Sequence, residues 1–144
     1  MSVLEVYSDG SGEERVGRPG GWAFAIVRDD AVLATGQGHA AQTTCLVMEL
    51  EAARAALAAV VRRGWHRGHE VVLISDSSIA LDIAAGRFFP KPPRYAALCR
   101  ALREVTLRSG ATTRWVRAHS GDRWNEHVDA LSRAARTCPP RALT

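Results

Sequence analysis

Two runs of strand-forming residues in this chain each end in a Ser-Asp pair. The run "VLEVYSD" ends at Asp9, and the later run "EVVLISD" ends at Asp76. If the two strands are parallel neighbours, both carboxylates lie at the same edge of the sheet. Adjacent carboxylates repel and raise each other's pKa, and a divalent cation is the usual compensation. The simpler alternative is that Asp9-Gly10 only makes a turn, with Asp76 in a separate turn or cap.

A third acid lies on a helix predicted between the two runs. The apolar stripe of that helix consists of Leu46, Leu50, Ala53, Leu57 and Val60. At the helical repeat, Glu49 falls at the border of the stripe, where it can lean against the sheet, whereas Glu51 falls on the solvent side. The alternative for Glu49 is an exposed residue on the flank of the helix.

The segment "RWVRAHSGDRWNEHVDALSR" near the end of the chain is rich in polar side chains. His119 is predicted at a strand end, where it could transfer a proton near neutral pH or serve a structural role. The predicted final helix buries Trp124, Val128, Leu131 and Ala135. Its polar residues are further candidates for a site: Asp122, Asn125, Glu126 and Asp129. Helical periodicity does not select Asp129 over Glu126.

The elements that would position these residues follow a defined order. Strands are predicted at 2–9, 21–28 and 32–38, and their short connections favour an antiparallel meander. The order continues as helix 44–63, strand 70–76, helix 77–85, helix 95–108, strand 112–119 and helix 124–136. Three antiparallel strands followed by αβααβα predict an α/β fold, with helices on the faces of a five-stranded mixed sheet. The length suits one domain over residues 1–144, with a tail, 137–144, that we expect to fray.

The composition adds two weaker indications. A net charge of +4 and a pI near 9.5 favour a polyanionic partner, although a solvated basic surface would give the same values. The three cysteines, Cys45, Cys99 and Cys138, have no zinc-site spacing and suggest no disulfide framework, so we expect inert or semi-buried thiols. The sequence begins with no secretory signal and has no apolar run long enough for a membrane span, so we expect a cytoplasmic protein.

Five segments, in order along nearly the whole chain, resemble ribonuclease HI, the type 1 ribonuclease H family. They are "YSDGS", "GRPGGWAFAI", "TTCLVMELEAARAAL", "ISDSS" and "WVRAHSGDRWNEHVDALSRAA". The resemblance implies a carboxylate set of Asp9, Glu49, Asp76 and Asp129, and it thereby selects Asp129 over Glu126. It also implies that His119 is the mobile histidine before the last helix and that Asn125 matches the family's Asn at the start of that helix.

The resemblance implies an endoribonuclease that hydrolyses the RNA strand of RNA/DNA hybrids by a two-metal-ion mechanism and leaves a 5′-phosphate. The expected cofactor is Mg²⁺, with Mn²⁺ as a possible substitute, because these ions take carboxylate and water oxygens as ligands. Asp9 would bridge the two ions, with Glu49 and Asp76 on one side and Asp129 on the other. Hybrid recognition through 2′-hydroxyl groups is expected at Gly10, Ser11, Ser78 and Asn125. The protein is expected to be a monomer without an obligate protein partner.

The sequence departs from the family pattern at two places. An Asn pair that often contacts substrate before the Met-Glu of the long helix is replaced here by Cys45 and Leu46. The basic protrusion of many members shrinks to "GRFFPKPPRY". Its charges are Arg87, Lys91 and Arg94, and its two phenylalanines, Phe88 and Phe89, could stack on substrate or, more simply, pack the loop against the core. We therefore expect weaker hybrid binding, with Michaelis constants that rise steeply with salt.

Two other functions remain open at this point. One is a related metal nuclease such as a junction resolvase, against which the order of the five segments and the His119 loop both argue. The other is a non-catalytic nucleic-acid-binding module that has kept the fold. Loss of one of the four acids would favour that second alternative, and all four are present.

Overall fold

The structure is a computed structural model, and it describes residues 1–137. The strands are β1 (Ser2–Ser11), β2 (Arg18–Arg28), β3 (Ala31–Thr43), β4 (His69–Ser75) and β5 (Thr112–Trp115). The helices are α1 (Cys45–Arg62), α2 (Ser78–Ala84), α3 (Ala96–Ser109) and α4 (Arg123–Thr137), with short 3₁₀ turns at Trp65–Arg67 and Pro93–Tyr95. Thr137 belongs to α4, and the remainder of the predicted frayed tail, 138–144, lies outside the described residues.

The five strands form one mixed sheet in the order β3-β2-β1-β4-β5. The central strand β1 pairs antiparallel with β2 and parallel with β4. β3 pairs antiparallel with β2 at one side of the sheet, and β5 pairs parallel with β4 at the other. The predicted fold class and element order are confirmed. The parallel neighbours β1 and β4 bring their carboxyl ends to the same edge, as the two Ser-Asp pairs require.

Helices cover both faces of the sheet, because alternate residues of each strand point to opposite faces. On one face, Leu4 and Val6 of β1 pack with the apolar stripe of α1 and with buried residues of α2 and α3. On the other face, Tyr7 and the alanines of β2 pack with Val128 of α4. α1 begins after Thr44, whose side chain caps the helix by accepting a hydrogen bond from the backbone N–H of Val47. No helix within residues 1–137 is long and apolar enough to span a bilayer.

The alternative that Asp9-Gly10 makes a turn is wrong, since β1 does not end at residue 9 but continues through Asp9 and Gly10 to Ser11. Asp9 pairs with Ala23 and Gly10 with Trp22 in the antiparallel ladder with β2. The glycine is therefore not needed for positive φ. Instead, its missing Cβ permits close packing, because a Cβ at Gly10 would overlap the backbone of α1 at Met48 and Glu49.

The predicted strand 112–119 is too long, and this changes the position of His119. β5 pairs only with β4, and its last partner is Ser75, the final residue of β4. Just beyond the Ser75–Trp115 pair, the Val116 N–H donates to the Ser75 carbonyl at the end of β4. His119 therefore lies in an exposed loop, with a positive φ of 54°, and not at a strand end.

Candidate active site

Three carboxylates meet at the carboxyl ends of β1 and β4. Asp9 lies near the end of β1, Asp76 directly follows β4, and Glu49 comes from the second turn of α1. One carboxylate oxygen from each lies within 4.8 Å of the others. Residues distant in sequence are thus gathered into one group, and the predicted pairing of Asp9 with Asp76 is present.

The close approach of α1 to β1 places Glu49 in this group. Gly10 faces α1 because it lies one residue beyond Asp9, on the opposite face of the strand. Its missing side chain lets the α1 backbone at Glu49 rest directly on the strand. Glu49 is half-buried and not an exposed flank residue. Glu51, predicted on the solvent side, is also half-buried and forms an ion pair with Arg54.

The buried position of Asp9 makes its negative charge costly. The residue is 4% exposed. Burial first, and then the Asp76, Asp129 and Glu49 carboxyl groups, raise the pKa of Asp9 to about 8 from an ordinary 3.8. Burial and Asp76 also raise the pKa of Glu49, against the opposing effect of hydrogen bonds from Ser77 and Cys45.

This charge arrangement fits a divalent cation. None of the three carboxylates forms an ion pair with a basic side chain of the described residues. Oxygen ligands of this kind suit hard cations, and a bound cation would remove the repulsion that raises the pKa values. Cys45, whose Sγ lies 3.7 Å from Glu49 Oε1, does not supply a thiolate, since burial and the nearby carboxylates raise its pKa to about 12.

Asp129 lies beside Asp9 on α4 but outside the group of three. Its carboxyl group contributes to the raised pKa of Asp9 both by hydrogen bonding and by charge. It also accepts a hydrogen bond from Arg133 Nε at 3.2 Å, one helical turn further along. Glu126 is exposed, so the structure places Asp129, and not Glu126, next to the carboxylates.

The comparisons with known proteins bear on this arrangement directly. The family model described as RNase H matches residues 1–137. The chain belongs to the ribonuclease H family. The resemblance seen in the sequence is confirmed, and with it the predicted class of activity: a metal-dependent endoribonuclease that acts on the RNA of RNA/DNA hybrids.

Relatives match over nearly the whole chain. The "Ribonuclease H" of Rhizobium etli is 33% identical over an alignment that covers 92% of this chain and 91% of the relative. The structure of LC11-RNase H1, isolated from compost, superposes with a TM-score of 0.81 at 21% identity and covers 94% of this chain and 96% of that one. The same compost protein solved in complex with an RNA/DNA hybrid gives a TM-score of 0.77 at 20% identity, with coverage of 92% and 96%.

The residues predicted to bind substrate in this ribonuclease H fall into two groups. Gly10 and Ser11 line a pocket of about 290 Å³, and Ser78 is exposed at the start of α2, two residues after Asp76. Asn125, by contrast, is only 2% exposed and donates from Nδ2 to Asp76 Oδ2 at 3.3 Å. Its side chain points inward to a carboxylate, so the prediction that it contacts substrate does not fit its position.

The segment that replaces the basic protrusion is exposed at the surface. Arg87 is paired with Asp82 at 2.9 Å, Arg94 stacks on the ring of Tyr95, and Lys91 is exposed. Phe88 and Phe89 are 47% and 57% exposed, so the simpler expectation that they pack against the core is wrong. Prolines in this segment leave the two rings without a helix or strand to hold them against the sheet.

The four other histidines belong to no motif and are therefore predicted to lie at the surface, yet three of them are partly buried. His39 Nδ1 lies 2.8 Å from the Ala135 carbonyl oxygen, and His69 Nδ1 lies 2.8 Å from that of Trp65. His66 is also half-buried, whereas His127 is exposed as predicted. Cys45 is half-buried and Cys99 buried, as expected of unreactive thiols, and Cys138 lies outside the described residues.

Two features of the site were missed in the sequence. Ser132 Oγ donates to Asp9 Oδ2 at 3.2 Å, and Arg133 and Arg136 line the pocket next to Gly10 and Ser11. All three follow Asp129 by three to seven residues on the same helix. Residues three, four and seven positions apart share a helix face, so that spacing could have indicated them once Asp129 was selected.

Proposed function

We propose that Asp9, Glu49, Asp76 and Asp129 hold two divalent cations, Mg²⁺ with Mn²⁺ as a possible substitute, for hydrolysis of the RNA strand of RNA/DNA hybrids. The observation that carries the proposal is the group of three carboxylate oxygens within 4.8 Å of one another at the carboxyl ends of β1 and β4, with Asp9 buried and the other two residues half-buried. Asp9 is assigned as the shared ligand, a role supported by the contributions of all three other acids to its raised pKa. The cations, when bound, would activate the attacking water and stabilise the charge that develops on the phosphate.

His119 is assigned the movement of a proton during the reaction. It is exposed in the loop between β5 and α4, and no side-chain hydrogen bond to the rest of residues 1–137 holds its ring. An imidazole changes charge near neutral pH, so it can accept and release a proton under physiological conditions. The positive φ at His119 is a backbone conformation that histidine, asparagine and aspartate adopt more often than other non-glycine residues.

The substrate would lie across the pocket beside Asp129. One wall is formed by the strand-end segment Gly10, Ser11 and Gly12 with Cys45, and the other by Asp129, Arg133 and Arg136. Backbone groups of the first wall can approach 2′-hydroxyls, and guanidinium groups of the second can contact phosphates. Ser78, Arg87, Lys91 and Arg94 would extend the contact surface. The hybrid complex of the compost relative supports this class of ligand for the fold.

The protein is proposed to work as a monomer in the cytoplasm, where its nucleic-acid substrate would occur. Each of the four acids and His119 comes from this one chain, so the proposed reaction does not require a second copy. Analytical ultracentrifugation at micromolar concentration tests this point, and a stable dimer that alone cleaves hybrid would contradict it.

A substrate panel tests the proposed function. The protein is incubated with an end-labelled RNA/DNA hybrid, an RNA duplex, a DNA duplex and a DNA four-way junction, each with Mg²⁺, Mn²⁺ or EDTA. Metal-dependent cleavage of only the RNA in the hybrid supports the proposal. Cleavage of the DNA junction would indicate a resolvase, and hybrid binding without cleavage in either metal would indicate a binding module.

A further inference from the structure

Ser132 makes a contact that the proposed chemistry does not yet use. Its side chain lies in α4, 0% exposed, and Oγ donates to Asp9 Oδ2 at 3.2 Å. The same Oγ lies 3.0 Å from the backbone carbonyl oxygen of Asp129, one turn earlier in the helix. The residue thus joins the two parts of the site that come from β1 and from α4.

The position of this hydroxyl is fixed by close packing of α4 on the sheet. Asp9 points to the face that α4 covers, because it shares that face with Tyr7. On the neighbouring strand, a Cβ at Gly21 would overlap the backbone of α4 at Ser132, Ala135 and Arg136. The helix backbone therefore rests on β2, and this contact brings Ser132 within hydrogen-bonding distance of Asp9.

The hydroxyl carries one hydrogen and has two possible acceptors. A bond to the Asp129 carbonyl is the local side-chain-to-backbone bond that serine commonly makes in a helix, and it does not link α4 to the sheet. A bond to an ionised carboxylate is charge-assisted and stronger. When Asp9 is ionised, as a metal ligand must be, the hydrogen is therefore directed to Asp9 Oδ2.

We infer that Ser132 is a positioning residue for Asp9: its hydroxyl holds Oδ2 and fixes the carboxylate in the orientation that receives a divalent cation. The inference rests on the proposed function, since it assigns Asp9 as a ligand. Hydrogen bonds to a ligating carboxylate orient it, and their removal typically weakens metal binding or activity. Asn125 makes a similar contact with Asp76 from the same helix, so α4 contacts both strand-end carboxylates.

The test compares Ser132→Ala with Ser109→Ala. The control removes another buried helical hydroxyl, which donates to the Thr106 carbonyl, accepts from the Ala111 N–H and has no carboxylate partner. Mg²⁺ and Mn²⁺ are titrated into each protein without substrate by calorimetry. We expect about tenfold weaker metal binding for Ser132→Ala and wild-type binding for the control. Cleavage by Ser132→Ala should recover as metal is raised, with the Michaelis constant for hybrid unchanged.

Alanine is a favourable helix residue, so we expect Ser132→Ala to fold, and circular dichroism checks this. Ser132→Cys, which keeps a weak donor at the position, should bind metal with an affinity between those of the wild type and Ser132→Ala. Unchanged metal affinity in the folded Ser132→Ala protein, or equal weakening in Ser109→Ala, would overturn the inference. The metal titration uses no substrate, so its result is independent of the substrate panel that tests the proposed function. Wild-type protein that binds metal but does not cleave hybrid would reject the proposed function and leave the inference about Ser132 standing.

Discussion

Asp9 is nearly fully buried beside three other carboxylates, and this environment determines how it responds to pH. In the metal-free folded protein its pKa is raised to about 8, against 3.8 as its ordinary value. Between these values the folded chain retains a proton that the unfolded chain has released. The free energy of unfolding therefore falls as pH rises through this interval, by at most about 1.4 kcal/mol per pH unit for one group.

The first prediction concerns this dependence. In EDTA, urea unfolding of the wild-type protein between pH 5 and pH 8 should show a larger loss of stability than unfolding of Asp9→Asn, because the amide removes the titrating group. The difference in slope between the two proteins is the measured quantity. Parallel stability curves would show that Asp9 does not carry the raised pKa.

The second prediction concerns His119, whose role is the transfer of a proton and not the binding of a cation. His119→Ala should lower the rate of hybrid cleavage by about a hundredfold, the lower end for loss of a general acid or base, and leave metal affinity unchanged. His127→Ala is the matched control, since His127 is exposed on α4 and packs edge-on against Trp124. An unchanged cleavage rate in His119→Ala would contradict proton transfer by His119 and favour a structural role for this residue.

The individual site residues differ in how far the sequence predicts them. Asp9 and Asp76 are predicted as site residues because they end two strand-like runs, and Glu49 because it borders the apolar stripe of a helix. Strand runs and helical stripes are local patterns that a sequence shows directly. Asp129 required a family resemblance, because both it and Glu126 fall outside the buried stripe of α4. The inward position of Asn125 and the contact of Ser132 with Asp9 depend on how closely α4 approaches the sheet, and no local pattern encodes that distance.

The packing of α1 and α4 against the sheet determines which side chains meet at the site. Each helix comes closest where a strand residue has no Cβ: α1 over Gly10 and α4 over Gly21. The sequence predicted the order and type of every major element, because the apolar periodicity was strong. It misjudged the ends of the strands predicted at 2–9 and 112–119, because a strand ends where its partner ends. β2 continues to pair with β1 past Asp9, whereas β4 stops at Ser75 and ends β5.

The third prediction tests the contact between α1 and β1. Gly10→Ala should destabilise the protein by about 1–3 kcal/mol, the range for overpacking, and reduce hybrid cleavage because Glu49 is displaced from Asp9. Gly68→Ala is the control, since Gly68 has φ of −126° and open space around it. Chemical unfolding and cleavage rates are measured for both. Equal, small effects of the two substitutions would contradict the packing role of Gly10.

The charge of the whole molecule bears on how it holds a polyanionic substrate. The net charge of +4 is modest, and several arginines are already paired with acids, among them Arg87 with Asp82 and Arg133 with Asp129. Both arginines are among the assigned substrate contacts, so their contacts with phosphate compete with ion pairs that are already present. Each phosphate contact adds about 1 to the logarithmic salt slope, so a small number of contacts gives weak binding with a shallow salt dependence, and not the steep dependence expected from the sequence.

The fourth prediction follows from this charge distribution. The Michaelis constant for hybrid should rise by about ten- to fortyfold between 50 and 200 mM salt, the change that two or three phosphate contacts give, and Lys91→Ala should reduce the logarithmic salt slope by about 1, the value for one contact. Arg67→Ala is the control, because Arg67 precedes the amino end of β4, whereas the site lies at its carboxyl end. A Michaelis constant insensitive to salt would contradict the expected mode of substrate binding.

The most direct test of the carboxylate site is a paired measurement on Asp9→Asn. Divalent metal affinity is measured without substrate, and hybrid cleavage is measured at saturating Mg²⁺, with Glu126→Gln as the exposed acid control on α4. We predict that Asp9→Asn folds, loses metal binding, and cleaves at least about a thousandfold more slowly, equivalent to about 4 kcal/mol, while the control matches the wild type. Wild-type cleavage by Asp9→Asn would contradict the assignment of Asp9 as a metal ligand and the mechanism that depends on it.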